Sequence, residues 1–222
     1  MRKDTIKTRK KIIAVAEKLF AECGVDGVSL NEVTRASGQR NKSALTYHFG
    51  SKEGLMLAII DKHAPGILEK RHRLLQAVFD SGDVTLEKLV RAGIDPVIDK
   101  LDDKDGGVHF LRIIAQLSTN TGNFSLLEQR PEYIDSQDEL MTALREMTPD
   151  VPEDLRMMRT MQAFGMLFHT LVYISEVTAK RKRSAKQSRL KQLFIDNLVD
   201  SLMALATLEP SPATRQQLAL AG

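Results

Sequence analysis

Residues 29–55, SLNEVTRASGQRNKSALTYHFGSKEGL, carry the start and stop signals of two short helices in quick succession. Ser29 and Glu32 have the spacing of a capping box, in which each side chain bonds the other residue's backbone N–H, so a helix begins here. Gly38 ends that helix because glycine adopts the left-handed conformation at little cost. Asn41 can then cap a second helix. Two short helices joined by a glycine turn predict a helix-turn-helix, whose second helix can lie in a DNA major groove.

The residues before this stretch have the apolar spacing of a longer helix. The stripe recurs at steps of three and four residues, and it consists of Ile12, Ile13, Ala16, Leu19, Phe20 and Cys23. We expect it to pack on Leu30, Val33, Leu45 and Phe49, and we expect Cys23 to be a buried thiol with a structural role. Glu17 lies off the stripe.

The second helix of the pair, residues 42–48, supplies the candidate DNA contacts. With Leu45 facing inward, the side chains left to face DNA are Lys42, Ser43, Ala44, Thr46, Tyr47 and His48. A flexible cation such as Lys42 suits phosphate or guanine, and Thr46 offers a hydroxyl and a methyl group to a base edge. Lys52 lies at a helix N-terminus, which attracts anions. His48 has a second interpretation as a partly buried, hydrogen-bonded residue.

The constellation over residues 8–55 resembles the DNA-binding domain of the TetR family of bacterial repressors. The matching features are Thr8-Arg9, Ala16, Leu19-Phe20-Ala21, Gly24, Ser29-Leu30, Ala36, Gly38, Tyr47-His48-Phe49, Ser51-Lys52-Glu53 and Leu55. The turn Gln39-Arg40-Asn41 is one residue longer than is usual in the family. The resemblance implies that Thr46 contacts a base and that Tyr47, His48 and Lys52 bind phosphate. Ser29 and Arg40 are further candidates for contacts to the DNA backbone.

Composition and charge agree with a nucleic-acid partner for the first quarter of the chain. Residues 1–62 hold 12 Lys and Arg against 7 Asp and Glu, whereas the remaining 160 residues hold 20 against 22. One cysteine excludes an internal disulfide and a cysteine metal cluster, which favours a reducing cytoplasm. No run of about 18 uncharged residues predicts a membrane span. We therefore expect no membrane partner.

The rest of the chain has helical spacing, so the predicted fold class is all-α, with a C-terminal helical domain. The fourth helix is expected to run from Lys52 to about His63 and to stop before Pro65-Gly66. The predicted domains are 1–64 for DNA binding, 65–208 for effector binding and dimerisation, and 209–222 as a flexible tail. Residues 121–134 are expected to form a loop, with helices at about 135–147, 153–180 and 188–207.

The last two long helices are candidates for a dimer interface. The helix at 153–180 is apolar around most of its circumference and must be covered on two sides, and the helix at 188–207 carries an apolar stripe. Two such helices from each of two subunits could form a four-helix bundle, as the resemblance also implies. The alternative is a core helix of a monomer.

The resemblance implies a small-molecule pocket in the second domain, whose ligand releases the protein from DNA. The side chains available are mostly apolar or aromatic, so we expect an apolar or aromatic effector. The candidate lining residues are Phe110, Ile114, Phe124, Met161, Phe168, His169 and Tyr173. Each of them has a second interpretation as an ordinary core residue, and His169 as a core or interface histidine.

Three classes of function compete for this sequence. The leading hypothesis is a homodimeric repressor that binds a palindromic operator, is released by an effector and needs no cofactor. The second is an effector-free architectural or constitutive regulator, which a filled second domain would favour. The third is an enzyme, and the sequence argues against it because it lacks G-x-S-x-G, a phosphate-cradling glycine loop and the metal-ligand spacing H-E-x-x-H. The basic run at residues 180–191 is interpreted as a solvated loop.

Overall fold

A computed structural model describes residues 3–39, 43–118, 130–179 and 184–221, with side chains except at 3–4, 43–44, 131–138 and 221. The secondary structure of this part is helical and contains no strand, which confirms the predicted all-α class. The helices are α1 (Lys3–Cys23), α2 (Leu30–Ala36), α3 (Ser43–Phe49), α4 (Lys52–Asp80), α5 (Leu86–Ile98), α6 (Gly107–Leu117), α7 (Pro131–Met147), α8 (Glu153–Ala179), α9 (Ala185–Thr207) and α10 (Pro212–Ala221). A single 3-10 turn, Asp99–Leu101, follows α5.

The capping box at the start of α2 forms as its sequence predicts. Ser29 Oγ accepts the Glu32 N–H at 3.3 Å, and Glu32 Oε2 accepts the Ser29 N–H at 2.7 Å. Gly38 follows α2 with a φ of +72°, the left-handed geometry that favours glycine. The predicted cap Asn41 lies outside the described residues.

The core of the first three helices holds most of the predicted stripe. Ile12, Ile13, Ala16, Phe20, Val33 and Leu45 are all buried. The prediction that Cys23 is a buried thiol is wrong. Cys23 is exposed, because it lies in the last turn of the helix. Glu17, although it lies off the apolar stripe, is buried at 1% exposure, because Lys62 and His63 of α4 bind its carboxylate.

The predicted helix end before Pro65 is also wrong, because α4 continues through Pro65 to Asp80. An internal proline costs roughly 3 kcal/mol through a lost hydrogen bond and a clash with the preceding turn. Apolar side chains are buried on both sides of it, including Ile59, Ile60, Ile67 and Leu75. Each buried side chain of this size contributes about 1.5–3 kcal/mol, so burial of the continuous helix outweighs the cost of the proline.

Two other helices lie where the sequence predicts irregular chain. Helix α7 begins at Pro131, inside the predicted loop, because proline is well suited to the first helical turn, where its missing N–H is not needed. Helix α10 occupies most of the predicted flexible tail. Ser211 Oγ accepts the Thr214 N–H at 3.2 Å and so caps it, with Pro212 at its first position.

By packing, the chain divides into two compact units, residues 1–70 with 96–134, and residues 71–95 with 135–222. The boundaries of the units fall inside α4, α5 and α7. In the first unit α6 packs against α1, and in the second α8 packs against α9. The second unit contains a cluster of buried Leu75, Leu89, Ala92, Leu140 and Ala143.

Helices α8 and α9 each have one buried face in the second unit. Leu167, Leu171 and Ile174 of α8 are buried, as are Leu198 and Leu202 of α9. Although α8 has 27 residues, no helix in the described ranges is both long and apolar enough to cross a membrane.

Candidate nucleic-acid interface and ligand cavity

The short helix α3 turns one side chain into the core and leaves its neighbours in solvent. Leu45 is 2% exposed, whereas Tyr47 is 81% exposed and Thr46 is exposed as well. An aromatic ring exposed to this extent has no role in the packing of its own domain, so it is available to a partner. Arg40 and Lys42 lie outside the described residues. Ser43 and Ala44 are in the first turn of α3, and their side chains are not described.

His48 and Lys52 are both partly buried beside aromatic rings. The His48 ring lies 5.2 Å from that of Tyr47 and 5.9 Å from that of Phe49. Lys52 is the first residue of α4, and its ammonium group lies 5.8 Å from the centre of the Phe20 ring. These contacts hold a titratable ring and a cation close to the exposed face of α3.

Ser29, a predicted contact to the DNA backbone, is already engaged by Glu32. Its N–H and its hydroxyl both donate to Glu32 Oε2, at 2.7 and 2.8 Å. The backbone hydrogen bond from Ser29 is the largest cause that lowers the pKa of Glu32, so this carboxylate is anionic. A phosphate at Ser29 would have to displace a negative charge.

Two basic residues of α1 join the candidate interface, although the sequence analysis does not predict either as a DNA contact. The Arg9 guanidinium lies 5.1 Å from the centre of the Phe49 ring, at the end of α3. The ammonium of Lys11 lies 3.4 Å from where a Cβ of Gly38 would stand, at the turn after α2. The sequence could have predicted Arg9 as a DNA contact, because the Thr8-Arg9 pair is part of the resemblance. No sequence pattern around Lys11 predicts such a contact.

A close approach at Gly54 fixes the junction between α3 and α4. A Cβ at this position would lie 2.0 Å from the carbonyl oxygen of Phe49, so only glycine fits. Ser51 caps α4 by accepting the Gly54 N–H at 3.1 Å. The direction of α3 is thus set by a backbone contact to the first turn of α4.

A buried ion cluster links α1, α4 and the turn before α6. Glu17 accepts a hydrogen bond from Lys62 Nζ at 2.8 Å and lies 2.5 Å from His63 Nε2. Lys62 also donates to the Asp105 carbonyl at 2.7 Å. Burial acts to lower the pKa of Lys62, but the hydrogen bonds to Glu17 and Asp105 prevail and raise it.

The side-chain amide of Gln116 in α6 forms hydrogen bonds through both its oxygen and its nitrogen. Its Oε1 accepts the Val25 N–H at 3.0 Å, and its Nε2 donates to the Phe20 carbonyl at 3.3 Å. Both bonds reach backbone groups at the end of α1. Gln116 therefore joins α6 to the helix-turn-helix unit.

The described residues predicted for an effector pocket belong partly to the first unit and partly to the second. Phe110 and Ile114 are buried in the first unit, where Phe110 stacks on His63 with ring centres 4.6 Å apart. In the second unit Phe168 is in the core, whereas Met161 and Tyr173 are more than half exposed. His169 is exposed too. Phe124 lies outside the described residues.

Helical periodicity predicts which of these residues share a face of α6 or of α8. Only the packing of the helices decides which of those faces is buried. The exposure of His169 excludes a core histidine of the single chain, and the interface interpretation stays a prediction. His169 lies one position away from the buried Phe168 and points to another face of α8.

A cavity of about 180 Å³ lies within the second unit. Its walls come from α4, α5, α7, α8 and α9, and most of the lining side chains are apolar: Val90, Ile94, Leu140, Met141, Leu144, Val151, Ala163, Phe164, Leu167, Leu202, Leu205 and Ala206. Its polar lining consists of Arg71, Arg156, Arg159, Thr148 and Thr160. None of the six predicted pocket residues that the structure describes is among those that line it.

Helices α8 and α9 expose an apolar face in the single chain. Met157, Met158, Met161, Tyr173 and Leu193 are each more than half exposed. The Tyr173 ring of α8 meets the Phe194 ring of α9 edge to face at 5.6 Å. Of the basic run at 180–191, residues 180–183 lie outside the described part, and Lys186 and Arg189 are exposed in the first turns of α9.

Comparison with known families gives two matches. The family described as "Bacterial regulatory proteins, tetR family" matches residues 12–59. The family described as "Tetracyclin repressor-like, C-terminal domain" matches residues 91–215, which is more than half of the chain. The first match contains all of α2 and α3, and the second begins in α5 and contains α6 to α9.

Curated relatives match less than a third of the chain. The HTH-type transcriptional repressors AcnR of Corynebacterium efficiens and Corynebacterium glutamicum are 33% and 34% identical over 64 and 62 residues. These matches cover 29% and 28% of this chain, and 34% and 32% of the relatives. The chain thus spans about a third of the length of the curated relatives it matches.

Solved structures are similar over most of the chain. The TetR family transcriptional regulator PfmR from Thermus thermophilus is 18% identical with a TM-score of 0.46, over 90% of this chain and 96% of that one. A TetR-family regulator from Streptomyces coelicolor is 20% identical with a TM-score of 0.42, over 93% and 98%.

Proposed function

This chain belongs to the TetR family of bacterial regulatory proteins, and from that premise we propose that it is a homodimeric, cytoplasmic repressor released from a palindromic operator by a small molecule. The observation that carries the proposal is α3, where Leu45 is buried while Thr46 and Tyr47 stand in solvent. Its relatives from Corynebacterium are named transcriptional repressors, which supports repression.

In the proposed complex α3 lies in the major groove of DNA. Thr46 contacts a base edge through its hydroxyl or methyl group, and Tyr47, His48 and Lys52 bind phosphate. Arg40, Lys42, Ser43 and Ala44 remain proposed contacts of the same surface. Arg9 and Lys11 add positive charge near α3 and the turn before it, whereas Ser29 acts mainly as the cap of α2.

The exposed face of α8 and α9 supports the proposed homodimer. Five large apolar side chains exposed on two packed helices need a cover, and a second copy provides the same face by symmetry. A twofold dimer presents two copies of α3, which read half-sites about 34 Å apart. A palindromic operator follows from that symmetry.

The cavity in the second unit supports release by an effector over the effector-free alternative. The cavity of about 180 Å³ is partly open to solvent, and most of the side chains that line it are apolar. A concave apolar site with a few polar groups is typical of small-molecule binding. A ligand that binds one conformation of the second unit better would shift the dimer away from the DNA-binding state.

The proposal is tested by selection of random duplex DNA at fixed salt, followed by sequencing. We expect an inverted repeat. Thr46→Ala should weaken binding by about 1–3 kcal/mol and relax specificity at one base position, and Tyr47→Ala should weaken it through the lost phosphate contact. Thr142→Ala, an exposed threonine on α7, is the matched control and should leave the enrichment unchanged.

The salt dependence separates base contacts from phosphate contacts. Lys52→Ala should weaken binding to all sequences and reduce the slope of log K against log salt by about 1. Salt-sensitive binding without any enriched motif would contradict the proposal and favour an architectural role.

A further inference from the structure

The polar lining of the cavity in the second unit is entirely basic or neutral. It has three arginines and two threonines, and no acidic residue is among the described side chains that line it. A cation in an apolar cavity is unfavourable unless a negative group compensates it. The lining therefore favours an anion, and the next question is which arginine is free to bind one.

Two of the three arginines are occupied by the protein itself. Arg156 donates to Thr148 Oγ1 at 2.6 Å, to the Thr148 and Val151 carbonyls, and to Glu153 Oε2 at 3.2 Å. Arg159 donates to the carbonyls of Ala206 and Leu208, at the C-terminal end of α9. Both guanidinium groups hold backbone carbonyls in place and so have structural roles.

Arg71 of α4 differs from both. Only its Nε is bonded, to the Gly93 carbonyl at 3.3 Å, so its two terminal nitrogens have no partner among the described side chains. No carboxylate of a described side chain forms an ion pair with it. Burial lowers the pKa of Arg71, as expected for a partly buried cation without a carboxylate partner.

The size of the cavity limits the ligand. Its volume of about 180 Å³ is slightly larger than a cavity of roughly 150 Å³ that holds a benzene molecule in another protein. Most of its walls are apolar, so the body of the ligand must be apolar too. One aromatic ring or a short alkyl chain fits this description.

We propose that the cavity binds a small monocarboxylate with an apolar body, and that the terminal nitrogens of Arg71 bind its carboxylate. A guanidinium presents two parallel N–H groups that match the two oxygens of a carboxylate. The inference rests on the proposed function, because it names the chemical class of the effector. It replaces the purely apolar or aromatic effector that the sequence suggests.

The test measures ligand binding directly, in the full-length protein without DNA. Benzoate and hexanoate are titrated by calorimetry, together with benzamide and hexanamide, which keep the shape and lose the charge. The variants are Arg71→Met, Arg71→Lys and the matched control Arg73→Met, which removes a charge from an exposed position of the same helix. Thermal melting of each variant monitors the fold.

At least one carboxylate should bind the wild type, and its amide should bind more weakly by a factor of about 30. Arg71→Met should lose that preference, Arg71→Lys should retain part of it, and Arg73→Met should retain all of it. Because Arg71→Met removes an uncompensated charge, it should melt no lower than the wild type. If Arg71→Met fails to fold, Arg71→Lys still tests the assignment through its weaker carboxylate binding.

Three outcomes would overturn the inference: no binding of either carboxylate, equal binding of acid and amide, or an unchanged carboxylate preference in Arg71→Met. Operator selection is scored separately. A protein that selects an operator but ignores carboxylates keeps the proposed repression and loses the ligand class. A protein that prefers carboxylates but selects no operator keeps the ligand class and loses the repression.

Discussion

Glu17 shows how one residue can tie the DNA-binding helices to the rest of their unit. Its carboxylate is 1% exposed and is held by Lys62 and His63. Breaking a buried pair by removing one partner costs about 3–5 kcal/mol, because the other charge is then left without compensation. Gly106 packs against this carboxylate with a φ of +85°, so it has two reasons to be glycine.

At this scale we predict that Gly106→Ala destabilises the protein more than Gly82→Ala does. Both glycines have positive φ, which costs another residue about 1–2 kcal/mol. A Cβ at Gly82 meets nothing within 4 Å, but at Gly106 it would lie 2.1 Å from Glu17 Oε2. Because Lys62 and His63 hold that carboxylate, it cannot swing away without breaking buried contacts.

The free energy of unfolding, measured by urea denaturation, checks this prediction. We expect Gly106→Ala to lose about 2 kcal/mol more than Gly82→Ala, which corresponds to part of the energy of the buried pair. Equal losses would mean that the Glu17 carboxylate is free to move, and the ion cluster would then contribute little.

At the scale of elements, α4 is a single helix that carries three departures from ideal helix composition. Gly54, Pro65 and Gly66 all lie within it. Pro65 is tolerated because burial on both sides outweighs its cost. The two glycines differ, since Gly54 touches the Phe49 carbonyl while Gly66 faces open space.

We therefore predict opposite signs for alanine at the two glycines. Gly66→Ala should stabilise the protein by about 0.5–1 kcal/mol, the helix preference of alanine over glycine. Gly54→Ala should destabilise it by about 1–3 kcal/mol, because the α3–α4 junction must shift to admit the methyl group. Thermal melting of the two variants measures the sign of each change in stability.

Operator binding by folded Gly54→Ala adds a second readout. A shifted junction changes the direction of α3, so affinity should fall even where the protein remains folded. A stabilised Gly54→Ala, or a destabilised Gly66→Ala, would contradict this account of α4.

At the scale of the whole molecule, the proposed dimer depends on apolar side chains that the single chain leaves in water. Leu193 of α9 is the most exposed of the five, at 65%. Leu193→Glu should leave the fold of one chain intact, because the site is solvated there. In a dimer it would bury an uncompensated charge, which should weaken association by about 3 kcal/mol or more.

Sedimentation velocity over a range of concentrations checks the dimer prediction. Val84→Glu, an exposed apolar position outside α8 and α9, is the matched control and should remain dimeric. A wild-type protein that is monomeric at high concentration, or a Leu193→Glu variant that dimerises normally, would show that this face is not the interface.

The sequence by itself determined the local features of this protein. The capping box at Ser29 and Glu32 and the left-handed Gly38 depend on residues a few positions apart, so their physics can be read along the chain. The all-α class follows from helical periodicity, and the TetR resemblance from a constellation within 50 residues.

Only the tertiary structure decided the features that depend on distant partners. Glu17 is polar by composition, yet it is buried because Lys62 and His63 arrive from α4. Pro65 should end a helix, yet α4 continues because both of its halves are packed. Arg71 lines the cavity with its terminal nitrogens unpaired among the described side chains, since a cavity arises from the gaps that five helices leave between them. Periodicity shows which residues share a helix face, but only packing shows what covers that face.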